Sequence, residues 1–246
     1  MKNNNQIGQE LSEFKPVELV GYENKEAGNS GAFSVGMVHY NKIETVYRRD
    51  EKTKKLVVGE FTNPTIEFCK DLPWTFTEKV DGTNVRIFWD GHTVTFGGRT
   101  DKAQMPTVLI NRLNELFGGE ANAQLFEQKF GETEVILFGE GYGPNIQNGG
   151  GYRDDVDFII FDVMIAGNYQ PRSSVEDIAQ YFGIDIVPIV LEGTITEGVD
   201  YVLHNRKSLI ARNGALIEGL VGRPKIELKD RVGKRLICKI KFKDFE

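Results

Sequence analysis

Apolar and polar side chains alternate along Val85-Arg86-Ile87-Phe88-Trp89, with Val85, Ile87 and Trp89 on one side and Arg86 and Phe88 on the other. A period of two marks a β-strand. The turn dipeptide Asp90-Gly91 and a second alternating run from His92 to Arg99 follow, so residues 84–99 read as a hairpin. Ile43 to Arg48 and Leu56 to Phe61 read as strands around the charged turn Asp50-Glu51-Lys52-Thr53, before Pro64 interrupts. Proline at the first turn predicts a helix from Met105-Pro106 to Phe117, and Gly118-Gly119 separates it from a second helix over Ala121–Phe130.

Further along, Glu134 to Gly139 is an apolar strand with Glu140 at its end, and Val156 to Ile165 a long, largely buried one. Ser173 to Phe182 reads as a helix capped by Ser173 or Ser174. Short strands are expected near Ile186–Val190 and Ile217–Val221, with a helix around Gly198–Asn205 between them. Arg235 to Phe242 closes the chain as a strand studded with lysines. Strands and helices mixed without regular βαβ alternation predict an α+β fold with an antiparallel core. Residues 1–42 are polar and turn-rich and read as an N-terminal appendage without chemistry, leaving 43–246 as one domain.

One stretch organises the rest: Phe76-Thr77-Glu78-Lys79-Val80-Asp81-Gly82-Thr83-Asn84-Val85-Arg86-Ile87. It reads as strand, tight turn and strand, with Asp81-Gly82 supplying the turn because glycine accepts a positive φ. Lys79 then stands at a strand end, where its amine can face a cleft.

Composition narrows the class. At 246 residues, 40% apolar and 27% charged, the chain is an ordinary globular protein with a sizeable core. Its net charge of -6 excludes a globally basic wrapper of nucleic acid, but not one local basic groove. Gly222 to Lys243 is such a place, with nine Lys or Arg against Glu227 and Asp230. Arg223, Lys225, Lys229, Arg231, Lys234 and Arg235 are its candidate phosphate contacts. Cys69 and Cys238 lack metal-ligand spacing and read as small buried hydrophobes of a reducing compartment. His39, His92 and His204 are scattered with no ligand spacing, which argues against a histidine metal site. No apolar run nears the ~18–20 residues of a membrane span, and Met1-Lys-Asn-Asn-Asn-Gln lacks the apolar core of a signal peptide. The expectation is a cytoplasmic protein. The loop Gly141–Gly151 is glycine-rich yet fits neither the P-loop nor the dinucleotide fingerprint.

Three more segments carry chemistry. Leu137-Phe138-Gly139-Glu140 and Glu218-Gly219-Leu220-Val221 each set a carboxylate beside a glycine, and Lys239-Ile240-Lys241 puts two lysines on one strand face. Taken with Glu78-Lys79-Val80-Asp81-Gly82, their content and order resemble the covalent nucleotidyltransferases, namely RNA ligases, DNA ligases and mRNA capping enzymes. Asn84 resembles the extension common in RNA ligases. Arg99, in Gly97-Gly98-Arg99-Thr100-Asp101, looks like the arginine that follows the lysine motif. Phe161, in Ile160-Phe161-Asp162, resembles the family aromatic. The resemblance spans about residues 43–243.

It implies the ligase adenylation fold, related to ATP-grasp, with Lys79 as the nucleophile that takes AMP from ATP. It also implies that Glu140 binds the ribose, Phe161 stacks on adenine and Glu78 lies at the base edge. Arg99 and Asn84 would reach the ribose or a nucleic-acid 5′-phosphate. A nucleophilic amine must be neutral, whereas free lysine, with a pKa of ~10.4, is almost wholly protonated at pH 7. Nearby cations favour the neutral form, and Lys239, Lys241 and a bound Mg²⁺ (or Mn²⁺) would supply them while neutralising the triphosphate. Asp81 and Glu218 are the candidate ligands of that hydrated ion.

DNA ligases and capping enzymes generally carry an OB domain after the fifth motif, whereas Lys241 is followed here only by Phe-Lys-Asp-Phe-Glu246. The wording around Lys79 looks most like small, often virus-encoded RNA ligases reduced to the nucleotidyltransferase domain. The resemblance thus implies a monomeric, ATP-dependent RNA ligase that joins 5′-phosphate and 3′-hydroxyl RNA ends. Its rivals are a minimal DNA ligase that seals nicks, and a non-catalytic binder of RNA ends that stacks Trp74 or Trp89 on bases.

Overall fold

A computed structural model describes residues 39–246 apart from 213 and 232, so all but the last four residues of the expected appendage lie outside the described residues. Two larger sheets and one small ribbon carry the fold. In chain order the elements are β1 (Glu44–Thr45), β2 (Tyr47–Arg49), β3 (Leu56–Phe61), α1 (Pro64–Phe68), β4 (Trp74–Lys79), β5 (Thr83–Trp89) and β6 (Val94–Gly98). There follow α2 (Thr107–Phe117), α3 (Gly119–Phe130), β7 (Val135–Tyr142), β8 (Asp157–Ile165), β9 (Asn168–Tyr169) and α4 (Arg172–Phe182). The chain ends with β10 (Asp185–Ile186), β11 (Ile189–Gly193), α5 (Ile195–His204), β12 (Gly219–Pro224) and β13 (Cys238–Lys241).

One sheet runs β1-β13-β12-β4-β11 and the other β10-β8-β7-β5-β6, with β9 on β8, while β2 and β3 form the ribbon. Pairing is antiparallel except for β1 with β13 and β10 with β8. The architecture is the expected α+β one. The segment read as one strand, Ile43–Arg48, is two strands serving different sheets, broken at the fully buried Val46. Val46 donates its backbone N–H to the Lys239 carbonyl at 3.0 Å.

Beneath the second sheet, Val85, Ile87 and Trp89 pack with Leu109, Phe117, Phe126 and Ile178 from α2, α3 and α4. The opposite face is not solvated: Phe88 and Arg86 are buried there too, so the alternation separates two interiors. Behind the first sheet Trp74, Phe76, Leu220, Cys238 and Ile240 pack against α1 and α5. Trp74 donates its indole N–H to the Cys69 carbonyl and Trp89 to that of Gly131, each at 2.8 Å. Both indoles are therefore core groups and cannot stack on bases. Both cysteines are free and buried, as expected.

Local chemistry departs from the sequence reading at several ends. Pro64 does not simply interrupt, because it opens α1, whose N-cap Asn63 accepts from the Thr65 N–H at 2.8 Å. No serine caps α4; Pro171 occupies that position and Gly183, at φ 64°, closes the helix. Thr194 and Glu197 form a reciprocal capping box that starts α5 three residues earlier than the glycine at 198 suggested. Strand β7 continues to Tyr142, so Glu140 lies inside a strand rather than at its end.

Candidate active site

The stretch around Lys79 is not a hairpin. Strands β4 and β5 follow one another but belong to different sheets, and Val80–Gly82 carry the chain across. Gly82 does not take a positive φ. It is glycine because a Cβ there would stand 2.4 Å from the Gly141 carbonyl oxygen and 2.8 Å from Glu140 Cγ. Close approach, not turn conformation, fixes this residue.

Lys79 ends β4, and register places it beside Gly219 of β12, whose other neighbour is Lys241 of β13. One rung along, Thr77, Val221 and Lys239 stand in the same relation. The two lysines thus flank a residue with no side chain, and a Cβ on Gly219 would stand 2.0 Å from the Ile240 carbonyl oxygen. Glu218, just before β12, reaches both: Oε2 is 2.5 Å from Lys79 Nζ and Oε1 is 2.8 Å from Lys241 Nζ. Burial pushes the Glu218 carboxyl upward, but the two ammonium groups outweigh it and hold that carboxyl below the usual range. The Lys239 ammonium is lowered by burial first, then by Lys241, Lys79 and Lys42.

Lys79, Lys239 and Lys241 border a cavity of about 260 Å³. Eight of the ten expected site residues line it: Lys79, Glu78, Asn84, Arg99, Glu140, Phe161, Lys239 and Lys241. Glu140 faces Asn84 across the β5–β7 pairing. Burial pushes the Glu140 carboxyl up to about 8; Lys79 opposes this, and Glu218 and Asp81 add to it. Asn84 Oδ1 is buried without a hydrogen-bond partner among the described residues, an acceptor that a ligand hydroxyl would satisfy.

Phe161 owes its position to a β-bulge. Phe138 pairs with Asp162 and Gly139 with Ile160, so Phe161 is the extra residue on β8. The bulge lets Ile160 and Val163 both join the core while the ring of Phe161 faces the cavity and Asp162 goes to a polar cluster. Arg99 follows β6, and the segment bearing it is held by Arg86, which donates from Nε to the Gly98 carbonyl at 2.7 Å and from Nη2 to Asp101 Oδ1 at 2.8 Å.

Other expected roles meet different surroundings. Glu78 shares the face of β4 with Trp74 and Phe76, opposite Lys79, and is only 1% exposed. Its carboxylate accepts from Ser208 Oγ at 2.5 Å and the Leu209 N–H at 2.8 Å, so it fastens residues 208–211 under the cavity that it also lines. Asp81 lies outside the main cavity and accepts from Asn148 Nδ2 at 2.7 Å. It lines a second cleft of about 230 Å³ with Glu218, Arg206 and Lys243.

The expected metal ligands do not form a metal site by themselves. No three acidic, histidine or cysteine groups converge among the described residues, and both Glu218 oxygens are occupied by lysines. Mg²⁺ commonly takes only one or two protein carboxylates and completes its shell with phosphates and waters.

The basic stretch, read from the sequence as a set of candidate phosphate contacts, is largely paired within the protein. Lys225 meets Glu192 at 2.9 Å and Lys234 meets Glu44 at 3.3 Å. Arg235 pairs with Glu227, and Arg223 and Arg235 both pair with the fully buried Asp162, at 3.0 and 2.5 Å. Only Lys229 and Arg231 of the six make no ion pair among the described residues; of the six, only Arg223 lines the cavity.

The sequence reading missed the segment just before β1. Tyr40, Asn41, Lys42 and Ile43 line the cavity, so the appendage boundary drawn at residue 42 falls inside the site. Tyr40 is buried, donates to Asp162 Oδ2 at 2.9 Å, and packs 5.0 Å from the rings of Phe138 and Phe161. Its one visible signal was an aromatic close before the first strand.

A family model described as RNA ligase matches residues 72–241. Among solved structures, the Naegleria gruberi RNA ligase with PPi is similar at TM-score 0.59 and 18% identity over 88% of this chain and 59% of that one. A substituted form of that enzyme with ATP and Mn gives TM-score 0.60 and 16% identity over 85% and 57%. This chain thus spans less than two thirds of their length, and at such identity the likeness shows the fold. No curated protein matches the sequence.

Proposed function

Since this chain belongs to the RNA ligase family, we propose that it joins 5′-phosphate and 3′-hydroxyl RNA ends with ATP, through lysyl-AMP and adenylated-RNA intermediates. The observation that carries this reading is the position of Lys79. Its amine, held by Glu218, lies on the wall of a cationic cavity that Lys241, Glu140 and Asn84 also line.

In the first step Lys79 Nζ attacks the α-phosphorus, a P–N bond forms, the α–β bridging P–O bond breaks, and pyrophosphate leaves with the electron pair. Attack requires Nζ to lose its proton and part from Glu218 Oε2. Lys239 and Lys241 offset the charge gathering on the departing phosphates. Glu140, neutral up to about pH 8, suits a sugar hydroxyl, to which an un-ionised carboxyl both donates and accepts. Asn84 Oδ1 supplies a second acceptor, and Phe161 and Val221 present an apolar wall to the base. The AMP then passes to the 5′-phosphate of RNA, and a 3′-hydroxyl displaces it to close the strand. A divalent cation, Mg²⁺ or Mn²⁺, carried on the nucleotide phosphates supplies further charge neutralisation when bound.

Incubation with α-labelled ATP and Mg²⁺ tests the reading. Wild-type protein freed of bound AMP should carry an acid-labile label through denaturing electrophoresis, and Lys79→Ala should carry none. Label on both proteins, or on neither, refutes it.

A further inference from the structure

Cations crowd the cavity beyond the needs of one phosphate. Lys42, Lys79, Arg99, Arg223, Lys239 and Lys241 all line it. Arg223 is matched by Asp162, and Glu218 offsets one charge of the Lys79–Lys241 pair. Lys42, Lys239 and Arg99 make no ion pair among the described residues. A bound nucleoside monophosphate brings about two negative charges, whereas a triphosphate brings about four and loses most of them with its leaving group.

Lys42 stands apart within this set. It is exposed, whereas Lys79, Lys239 and Lys241 are half-buried, which places it at the mouth. Its backbone is fixed from both sides: Tyr40 is tied to Asp162 and Arg223, and Ile43 packs against the cluster of Phe88, Ile136 and Phe138. Its charge also reaches inward, since it adds to the field that lowers the Lys239 ammonium. A long side chain on an anchored stem, open to solvent and facing fixed cations, suits a group that arrives and departs.

We propose that Lys42 binds the terminal phosphates of the nucleoside triphosphate at the cavity mouth and holds the pyrophosphate as it leaves. This rests on the nucleotidyl-transfer reading above and assigns the polyphosphate end of that site to the segment before β1. The residue takes no part in bond making; it orients the leaving group opposite Lys79.

Separating the steps tests this. Formation of enzyme–AMP from ATP, and its reversal by added pyrophosphate, both need the polyphosphate subsite; sealing of chemically pre-adenylylated RNA does not. Lys42→Ala should raise the KM for ATP about tenfold and the pyrophosphate needed for reversal comparably, while sealing of pre-adenylylated RNA stays within about twofold. Lys42→Arg should restore most of the loss, and Lys52→Ala, in the exposed turn after β2, should match wild type. An unchanged KM in Lys42→Ala overturns the proposal. So does an equal loss in both reactions, which would put Lys42 on the adenylate or the RNA. A wild-type protein that takes no label fails the parent reading instead, so the two failures are distinguishable.

Discussion

Glu218 Oε2 lies 2.5 Å from Lys79 Nζ, and the same carboxylate holds Lys241 at 2.8 Å through its other oxygen. One acidic side chain thereby fixes two amines across a glycine and sets the lateral position of Lys79. Small displacements at a reacting atom are costly, about 10²-fold in rate for ~1 Å. Glu218→Gln should therefore lower the single-turnover rate of enzyme–AMP formation by about 10²-fold. Its circular dichroism should stay wild-type, because the amide keeps the shape while losing the charge and one of the two acceptor oxygens. A rate within threefold of wild type would mean that the clamp does not position Lys79.

Glu140 gives the protein a pH-dependent stability of unusual sign for a carboxylate. Its carboxyl ionises near its ordinary 4.5 when unfolded and near 8 when folded. Stability from this group is full below about 4.5 and is lost as the pH rises towards 8. Glu140→Gln, which imitates the protonated form, should match wild type near pH 4.5. It should exceed wild type by about 1–2 kcal/mol at pH 8.5, a figure reduced for partial exposure, or a few degrees in Tm. Paired thermal melts across that range check this, and a constant difference between the two proteins would refute it.

Gly82 sits where the chain crosses between sheets, and nothing larger fits. Gly82→Ala must push β7 away or shift Lys79, and overpacking of this kind costs about 1–3 kcal/mol. We expect a lower Tm and a weakened label with ATP. Gly59→Ala on β3, with φ +90° but open space around it, separates the two causes: it should cost stability through backbone strain and leave labelling intact.

Lys79, Glu140, Phe161, Lys239 and Lys241 were legible because each sits in a short run whose residue types recur in a known order, and the structure gathers them. The period-two pattern likewise located β5 and β6, and a long apolar run located β8, since burial on a pleated strand leaves a local trace. What could not be read was set by partners far along the chain. Glu78 stands beside Lys79, yet its contacts are Ser208 and Leu209, about 130 residues away. The bulge that turns Phe161 into the cavity depends on the register against Phe138 and Gly139, which no alternation within β8 reveals. Basic residues after Gly222 suggest a phosphate-binding face until their acidic partners Glu192, Glu44, Glu227 and Asp162 are seen. Tyr40 and Lys42 lie in a polar, glycine-broken region whose composition hides that its last residues are anchored.

The reach of the Lys79–Glu218 contact, 139 residues along the chain, has a consequence for biosynthesis. Lys79 leaves the ribosome well before the carboxylate that holds it, the lysines facing it and the Ser208 tether beneath it, which all lie between residues 208 and 241. A nascent or prematurely terminated chain carries the reactive lysine motif without the surroundings that could aim it at a nucleotide. On the reading proposed above, consumption of ATP waits until residues 208–241 have been made and folded onto the lysine.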